Sequence, residues 1–184
     1  MSLMLQNFIL FQIGWFSCVV GGASSEYYWI GVVAVMVIIA IHLARADNVQ
    51  NEILLIMVTL LLGTAWDSGL TISGLFSFSN GVVVNGLVPM WMIAMWALFA
   101  TTLNVSLSWM KNRYLLAMAF GALGGPIAYY AGNRLGAVEL SSTSTALFAV
   151  AIGWSIIMPL LMALATRLNG YQQADGKTYE VRPI

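Results

Sequence analysis

The chain has 184 residues, of which 60% are hydrophobic and only 8% are charged, with a mean hydropathy of +0.87. Soluble domains carry roughly 25% charged residues, so this composition indicates an integral membrane protein. The formal net charge is zero, which gives no reason to expect nucleic acid as a partner. The single cysteine, Cys18, excludes an internal disulfide, and the single histidine, His42, argues against a bis-histidine haem or a histidine-rich zinc site. No cofactor and no metal are therefore predicted.

Six hydrophobic stretches follow one another along the chain, and each is long enough to cross the hydrocarbon core as a helix, which needs about 20 residues. They run approximately over 3–22, 27–45, 51–69, 89–109, 113–134 and 143–167. The sequence therefore predicts an all-α, polytopic bundle of six transmembrane helices in residues 1–168, followed by a polar cytoplasmic tail, 169–184.

The basic residues predict the orientation of this bundle. With six crossings, both termini lie on one side of the membrane, and that side holds most of the basic residues: Arg45, Lys111, Arg113, Arg167, Lys177 and Arg182. Arg134 alone falls on the other side. Since the side richer in Lys and Arg faces the cytoplasm, both termini are predicted to be cytoplasmic.

The ends of the third span carry two local signals. At its start, Asn48 or Asn51 is placed to cap the helix, with Glu52 favourably positioned in the first turn. After its end comes the longest connection, 70–88, in which Asn80-Gly81 separates two apolar runs. This pattern favours a β-hairpin with a type I′ turn. We therefore expect a short hairpin on the outer surface, with both turn residues at positive φ.

Small residues recur at every fourth position of the fifth span, in the series 117, 121, 125 and the series 124, 128, 132, 136. Such a face allows close helix packing in lipid, either within the bundle or against a second copy or another membrane protein. Pro126 lies in the middle of this span and removes one backbone hydrogen bond. An interrupted helix of this kind is found both at packing kinks and at the binding sites of transporters.

Asp67 is the strongest candidate site residue, because a carboxylate near the hydrocarbon boundary needs a partner or a proton. Arg134 is the one basic residue at the same predicted depth, so the two side chains are expected to lie within about 4 Å of each other or across one water. One interpretation is an outward-facing polar pocket that binds a lipid headgroup or a solute. The other is a structural ion pair between the third and fifth helices. The pocket hypothesis includes four further residues: Trp66, Tyr129, Trp15 and Asn133.

A second polar cluster is predicted at the cytoplasmic side, formed by Asn7, His42 and Asn104. The histidine would relay a proton or meet a lipid headgroup, or the three side chains would simply hydrogen bond between helices. At 1.5 Å per residue, His42 lies near the inner end of its helix, whereas Asp67 lies roughly 24 Å from the inner end of its own. A catalytic His42–Asp67 dyad is therefore excluded.

Two long segments of the chain resemble a known family. They are WMIAMWALFATTLNVSLSW, which begins at Trp91, and GALGGPIAYYAGNRLGAV, which begins at Gly121. Together with Asn7, Trp15 and Asp67 they look similar to a bacterial inner-membrane family known as domain of unknown function 2878. The resemblance covers most of the chain and implies a small polytopic protein of a Gram-negative inner membrane, with a connection to membrane lipids. It supplies no catalytic residue.

Three classes of function remain open at this point. A protein that binds or transports a lipid or a small amphipathic solute fits the outer polar residues and the interrupted fifth helix, and we favour it. A membrane-embedded lipid-modifying enzyme fits the family context, although no nucleophile–base pair or metal site is recognisable. A structural or interaction subunit of a membrane complex fits the small-residue face of the fifth span.

Overall fold

A computed structural model describes residues 2–171, which form six α-helices and one pair of short strands. The helices are α1 Leu3–Gly22, α2 Tyr28–Leu43, α3 Val49–Ile72, α4 Met90–Leu103, α5 Tyr114–Arg134 and α6 Thr143–Arg167. The strands are β1 Phe76–Ser77 and β2 Glu139–Leu140, and a short 3-10 helix, Ser108–Met110, joins α4 to α5. The predicted all-α class is confirmed. Most of the predicted polar tail, 172–184, lies outside the described residues.

Within this range, four helices are long and apolar enough to cross a membrane: α1, α3, α5 and α6. The other two are shorter, with 16 residues in α2 and 14 in α4. At 1.5 Å per residue they extend over about 24 Å and about 21 Å, which is less than the roughly 30 Å of a hydrocarbon core. The four long helices suggest a membrane-embedded protein, while six full crossings and their orientation stay predictions.

The fourth helix is shorter than predicted, because it ends at Leu103 and not near residue 109. The hydroxyl groups of Thr101 and Thr102 donate to main-chain oxygens three residues earlier. The buried Asn104 then directs its amide away from the helix, toward α3 and the end of α6. Polar side chains that offer alternative hydrogen bonds to the backbone end a helix even where the sequence remains apolar.

Hydrogen bonds bring several connections together at one end of the bundle, which we call the terminal end. Asn7, near the start of α1, accepts from the backbone of Ser106 after α4. The main-chain oxygen of Gly170, after α6, accepts from the backbone of Asp47 and Asn48 between α2 and α3. The start of α1, the α2–α3 and α4–α5 connections and the end of α6 therefore share this end.

The remaining connections meet at the opposite end, which we call the loop end. The side chain of Asn80 donates to the main-chain oxygen of Gly22 at the end of α1. β1, from the α3–α4 connection, pairs antiparallel with β2, from the α5–α6 connection, with Phe76 opposite Leu140. Successive helices therefore alternate in direction, as a chain that crosses a membrane repeatedly requires.

The predicted hairpin at Asn80-Gly81 is wrong. The one strand pair in residues 2–171 joins two different connections, and Asn80 is not among the residues with positive φ, although Gly81 has a φ of +80°. The side-chain amide of Asn80 bonds to α1, and its main-chain oxygen accepts from the indole of Trp91 in α4. These tertiary bonds hold the segment against two helices and replace the local strand pairing that a type I′ turn would serve.

Close approach between helices depends on glycines at the helix contacts. A Cβ atom at Gly63 of α3 would lie 1.8 Å from the ring of Trp96 in α4. A Cβ atom at Gly121 of α5 would lie 2.2 Å from the main-chain oxygen of Trp154 in α6. The first small-residue series of α5, at 117, 121 and 125, is buried. Gly121 and Gly125 of this series pack against α6 of the same chain.

Candidate functional site

An apolar cavity of about 360 Å³ lies between α1, α4 and α5, and we call it the α1–α5 groove. The wall that α5 contributes is recessed, because Gly124, Ala128 and Gly132 of the second small-residue series line it. The other walls are rich in rings. Ten lining residues are aromatic: Phe8, Phe11, Trp15, Phe16, Trp91, Trp96, Phe99, Phe120, Tyr129 and Trp154.

The groove runs parallel to the helices. Along α1 its lining extends from Phe8 to Val19, and along α5 from Phe120 to Gly132. The end residues are eleven positions apart on α1 and twelve on α5, which at 1.5 Å per residue corresponds to about 17–18 Å. This length is slightly more than half of a hydrocarbon core about 30 Å thick. The groove is therefore about as long as one leaflet is deep.

Asp67 lies behind the wall of this groove and is fully buried. Its Oδ2 accepts a hydrogen bond from the indole of Trp96 at 2.7 Å, and its Oδ1 accepts one from the hydroxyl of Tyr129 at 2.6 Å. Both donors line the groove. The carboxyl group of Asp67 therefore joins α3 to α4 and α5 and fixes the position of two wall side chains, while it does not itself line the cavity.

The predicted ion pair between Asp67 and Arg134 is wrong. Arg134 is the exposed last residue of α5. Within residues 2–171, the one acidic and basic side chain that approach within 4 Å of each other are Glu52 and His42. Two neutral donors already satisfy both oxygens of Asp67, so this carboxyl group needs no cation. A long basic side chain at a helix end is better solvated when it extends away from the apolar core.

The other four residues of the predicted outer pocket fall into two groups. Trp15 and Tyr129 line the groove, whereas Trp66 and Asn133 do not. The ring of Trp66 fills the space at Gly153 of α6, where a Cβ atom would lie 2.0 Å away. Asn133 donates to the main-chain oxygen of Val138 at 2.9 Å and closes the turn after α5. The cavity is thus an apolar groove and not the polar pocket that the sequence predicted.

Glu52 is the centre of a polar cluster buried at the terminal end. Its Oε2 lies 2.7 Å from Nε2 of His42, and its Oε1 accepts from the side chain of Asn104 at 2.5 Å and from the backbone of Gly170 at 2.9 Å. His42 is 5% exposed, and neither Glu52 nor Asn104 is exposed at all. A buried carboxylate is tolerated only when such bonds offset its lost hydration, so the cluster is an interdependent unit.

Tyr171 closes this cluster from the segment that follows α6. Its hydroxyl group donates to the main-chain oxygen of His42 and lies 3.1 Å from Nδ1 of the same residue. Burial, followed by the negative charge of Glu52, raises the pKa of the Tyr171 hydroxyl above its ordinary value of about 10. The segment after α6 is therefore bonded to both α2 and α3.

Because of Tyr171, we expect the stability of the protein to depend on pH in the alkaline range. The folded state holds the phenolic proton of Tyr171 more tightly than the unfolded state does. The protonated hydroxyl therefore makes its full contribution to the free energy of unfolding below about pH 10, and this contribution is lost as the pH rises further. The melting temperature of the wild type should exceed that of Tyr171→Phe near about pH 8, and the gap should narrow toward about pH 11. Tyr114→Phe, at an exposed tyrosine, is the control. A gap that stays constant across this range contradicts the expectation.

The structure brings together two of the three residues predicted for the inner cluster. His42 and Asn104 meet through Glu52, whereas Asn7 donates to the main-chain oxygen of Thr101 instead. The sequence interpretation missed Glu52 as the hub and assigned it only a helix-dipole role. The signal was present, since Glu52 follows His42 by ten residues across a short connection and so lies at the same end. His42 and Asp67 belong to separate clusters.

Comparison with known proteins gives a match to a family model. The model is described as protein of unknown function (DUF2878), and it matches residues 4–160. No curated protein and no solved structure matches the chain. The matched range contains every residue that lines the α1–α5 groove, together with Asp67 and Glu52. It does not reach Gly170 or Tyr171.

Proposed function

Since the chain belongs to the DUF2878 family of proteins of unknown function, we propose its function from the geometry of the groove. It is an integral membrane protein that binds the acyl chain of a lipid or of a small amphipathic solute between α1 and α5. The observation that carries this proposal is the apolar cavity of about 360 Å³. This volume falls in the range of ligand sites, which is roughly 300–1,000 Å³.

The shape of the groove favours an acyl chain over a compact solute. It runs along the helices, and its length of about 17–18 Å is close to the depth of one leaflet. A chain bound there would lie in the direction that lipid chains already take in the bilayer. Entry from the surrounding leaflet would then need no reorientation of the ligand.

The walls are also held in place before any ligand binds. Trp96 and Tyr129 are fixed by their hydrogen bonds to Asp67, and the ring of Trp154 stacks on that of Trp96 with centroids 4.9 Å apart. A site whose side chains are already ordered loses less conformational entropy on binding. Asp67 thus acts in this proposal as a positioning residue and does not contact the ligand.

Filling the groove at Gly124 is expected to weaken acyl-chain binding about tenfold. The backbone there is open, since the nearest side-chain atom to a Cβ would be in Phe120 at 3.8 Å. A leucine side chain at this position would displace about two methylene groups of the ligand, at about 0.8 kcal/mol each. The measurement is competition of stearate against a photoactivatable stearate analogue on the purified full-length protein.

The matched control for Gly124→Leu is Gly69→Leu, a change of the same size at a helical glycine of α3 with no atom within 4 Å. It should leave the affinity for stearate unchanged. The photoactivatable analogue should also label peptides of α1 and α5. Labelling spread evenly over lipid-facing positions such as Leu61, or equal affinity in both leucine variants, argues against the groove as a binding site.

We also propose that the protein lies in a bacterial inner membrane with the terminal end of the bundle facing the cytoplasm. Four basic residues support this: Arg45, Lys111, Arg113 and Arg167 belong to segments at the terminal end, whereas Arg134 lies at the loop end. Alkaline phosphatase fused to the C-terminus should therefore be inactive, and the same enzyme inserted at residue 83 should be active. An active C-terminal fusion contradicts this orientation.

A further inference from the structure

Gln12 is a polar side chain in the lining of the mainly apolar groove. It lies nine residues after the start of α1 and ten before its end, which places it near the middle of the helix. Its amide makes no hydrogen bond to any residue in the described part of the chain. The hydrocarbon core offers no water to replace such a bond, so an unpaired amide at this depth is unfavourable.

The space beside Gln12 is open. Counted from the terminal end, Gln12 is about 14 Å along α1, and Gly124 is about 15 Å along α5, so the two positions face the groove at one level. Three other polar groups of the lining are satisfied inside the protein. The hydroxyl of Thr102 donates to its own helix, and Tyr129 and Trp96 donate to Asp67.

We propose that the ligand of the groove is an acyl amphiphile with a hydrogen-bonding oxygen near the bilayer midplane, and that Gln12 binds this oxygen. The inference rests on the proposed function and specifies its ligand class. A carboxamide has two donors and one acceptor, so it serves a mid-chain hydroxyl group or a carbonyl group equally well. A plain saturated chain would leave the amide unpaired and is the poorer ligand.

The test compares three probes on the full-length protein: stearate, 12-hydroxystearate and 2-hydroxystearate. Their affinities are measured by competition against the photoactivatable stearate analogue. For the wild type, 12-hydroxystearate should bind roughly three- to tenfold more tightly than stearate, which is the effect of one added hydrogen bond. 2-Hydroxystearate carries its hydroxyl beside the headgroup and should gain nothing.

Gln12→Leu should bind stearate and 12-hydroxystearate equally. The control is Ser17→Ala, on the same helix but outside the groove, where the hydroxyl donates to the main-chain oxygen of Ile13 at 2.8 Å. It should keep the preference of the wild type. The comparison of probes on the wild type needs no variant, so a poorly folding variant does not prevent the test.

Each other outcome overturns the inference. Equal affinity of the wild type for stearate and 12-hydroxystearate, or a preference that survives in Gln12→Leu, overturns the role of Gln12 while acyl binding in the groove stands. Stearate binding that is absent, or that Gly124→Leu does not weaken, overturns the groove as a site, and the role of Gln12 with it.

Discussion

Replacing Glu52 with alanine is expected to lower the free energy of unfolding by about 3–5 kcal/mol, because buried donors left without an acceptor cost about 1–3 kcal/mol each. Three groups lose their acceptor at once: the imidazole of His42, the side chain of Asn104 and the backbone of Gly170. Each is buried and has little access to water. At about 2–4 °C per kcal/mol for a chain of this size, the melting temperature should fall by roughly 10 °C.

The measurement is thermal unfolding of the purified protein in detergent, with Glu26→Ala as the control. Glu26 is an exposed carboxylate in the connection between α1 and α2, so its removal should change stability by less than about 0.5 kcal/mol. Replacing His42 and Glu52 together with leucine should cost less than the sum of the two single changes, because neither then leaves the other unpaired. Strict additivity would show that the pair is not coupled.

Replacing Asp67 with alanine is the second substitution for which we expect a large loss of stability. It leaves the indole of Trp96 and the hydroxyl of Tyr129 buried without an acceptor, at about 1–3 kcal/mol for each donor. Because both side chains line the α1–α5 groove, their displacement should also weaken stearate binding. Arg134→Ala should neither lower the stability nor weaken stearate binding, since Arg134 is exposed and is not within ion-pair distance of Asp67.

Double-mutant cycles on thermal stability distinguish the hydrogen bond between Asp67 and Tyr129 from the ion pair predicted between Asp67 and Arg134. Combining Asp67→Ala with Tyr129→Phe should show a coupling energy of about 1–2 kcal/mol, because the two side chains share a hydrogen bond. Combining Asp67→Ala with Arg134→Ala should show coupling close to zero. Strong coupling of Asp67 to Arg134, without coupling to Tyr129, would falsify the arrangement described above.

The positions of the helices were largely predictable, since long apolar runs with polar ends mark them. The predicted spans 3–22 and 143–167 coincide with α1 and α6. Of the two capping candidates for α3, Asn48 and Asn51, it is Asn48 that accepts the bond, from the backbone of Asn51. The end of α4 was not predictable from hydrophobicity. Asn104 ends that helix because of partners in α3 and after α6, which lie 52 and 64 residues away in the sequence.

Several residues of the candidate site could be predicted from the sequence, but the partners of their hydrogen bonds could not. Opposite charge at equal depth favoured Arg134 as the partner of Asp67, yet in an apolar interior two neutral donors satisfy a carboxyl group without burying a second ion. The α1–α5 groove itself was harder to predict from the sequence. Its recessed wall is the series 124, 128, 132, but small residues at that spacing equally indicate a helix contact.

The hydrogen-bond partners of Glu52 are synthesised in a fixed order. His42 precedes Glu52 by ten residues, whereas Asn104 follows it by 52 and Gly170 by 118. At about 5–20 residues per second, the ribosome needs roughly 6–24 s to reach Gly170 after it has added Glu52. Until Asn104 is added, roughly 3–10 s after Glu52, His42 is the one partner of the cluster already made. The helix pair α2–α3 thus enters the membrane with one hydrogen-bond partner of Glu52 already present, and the later partners complete the cluster once α6 has been made.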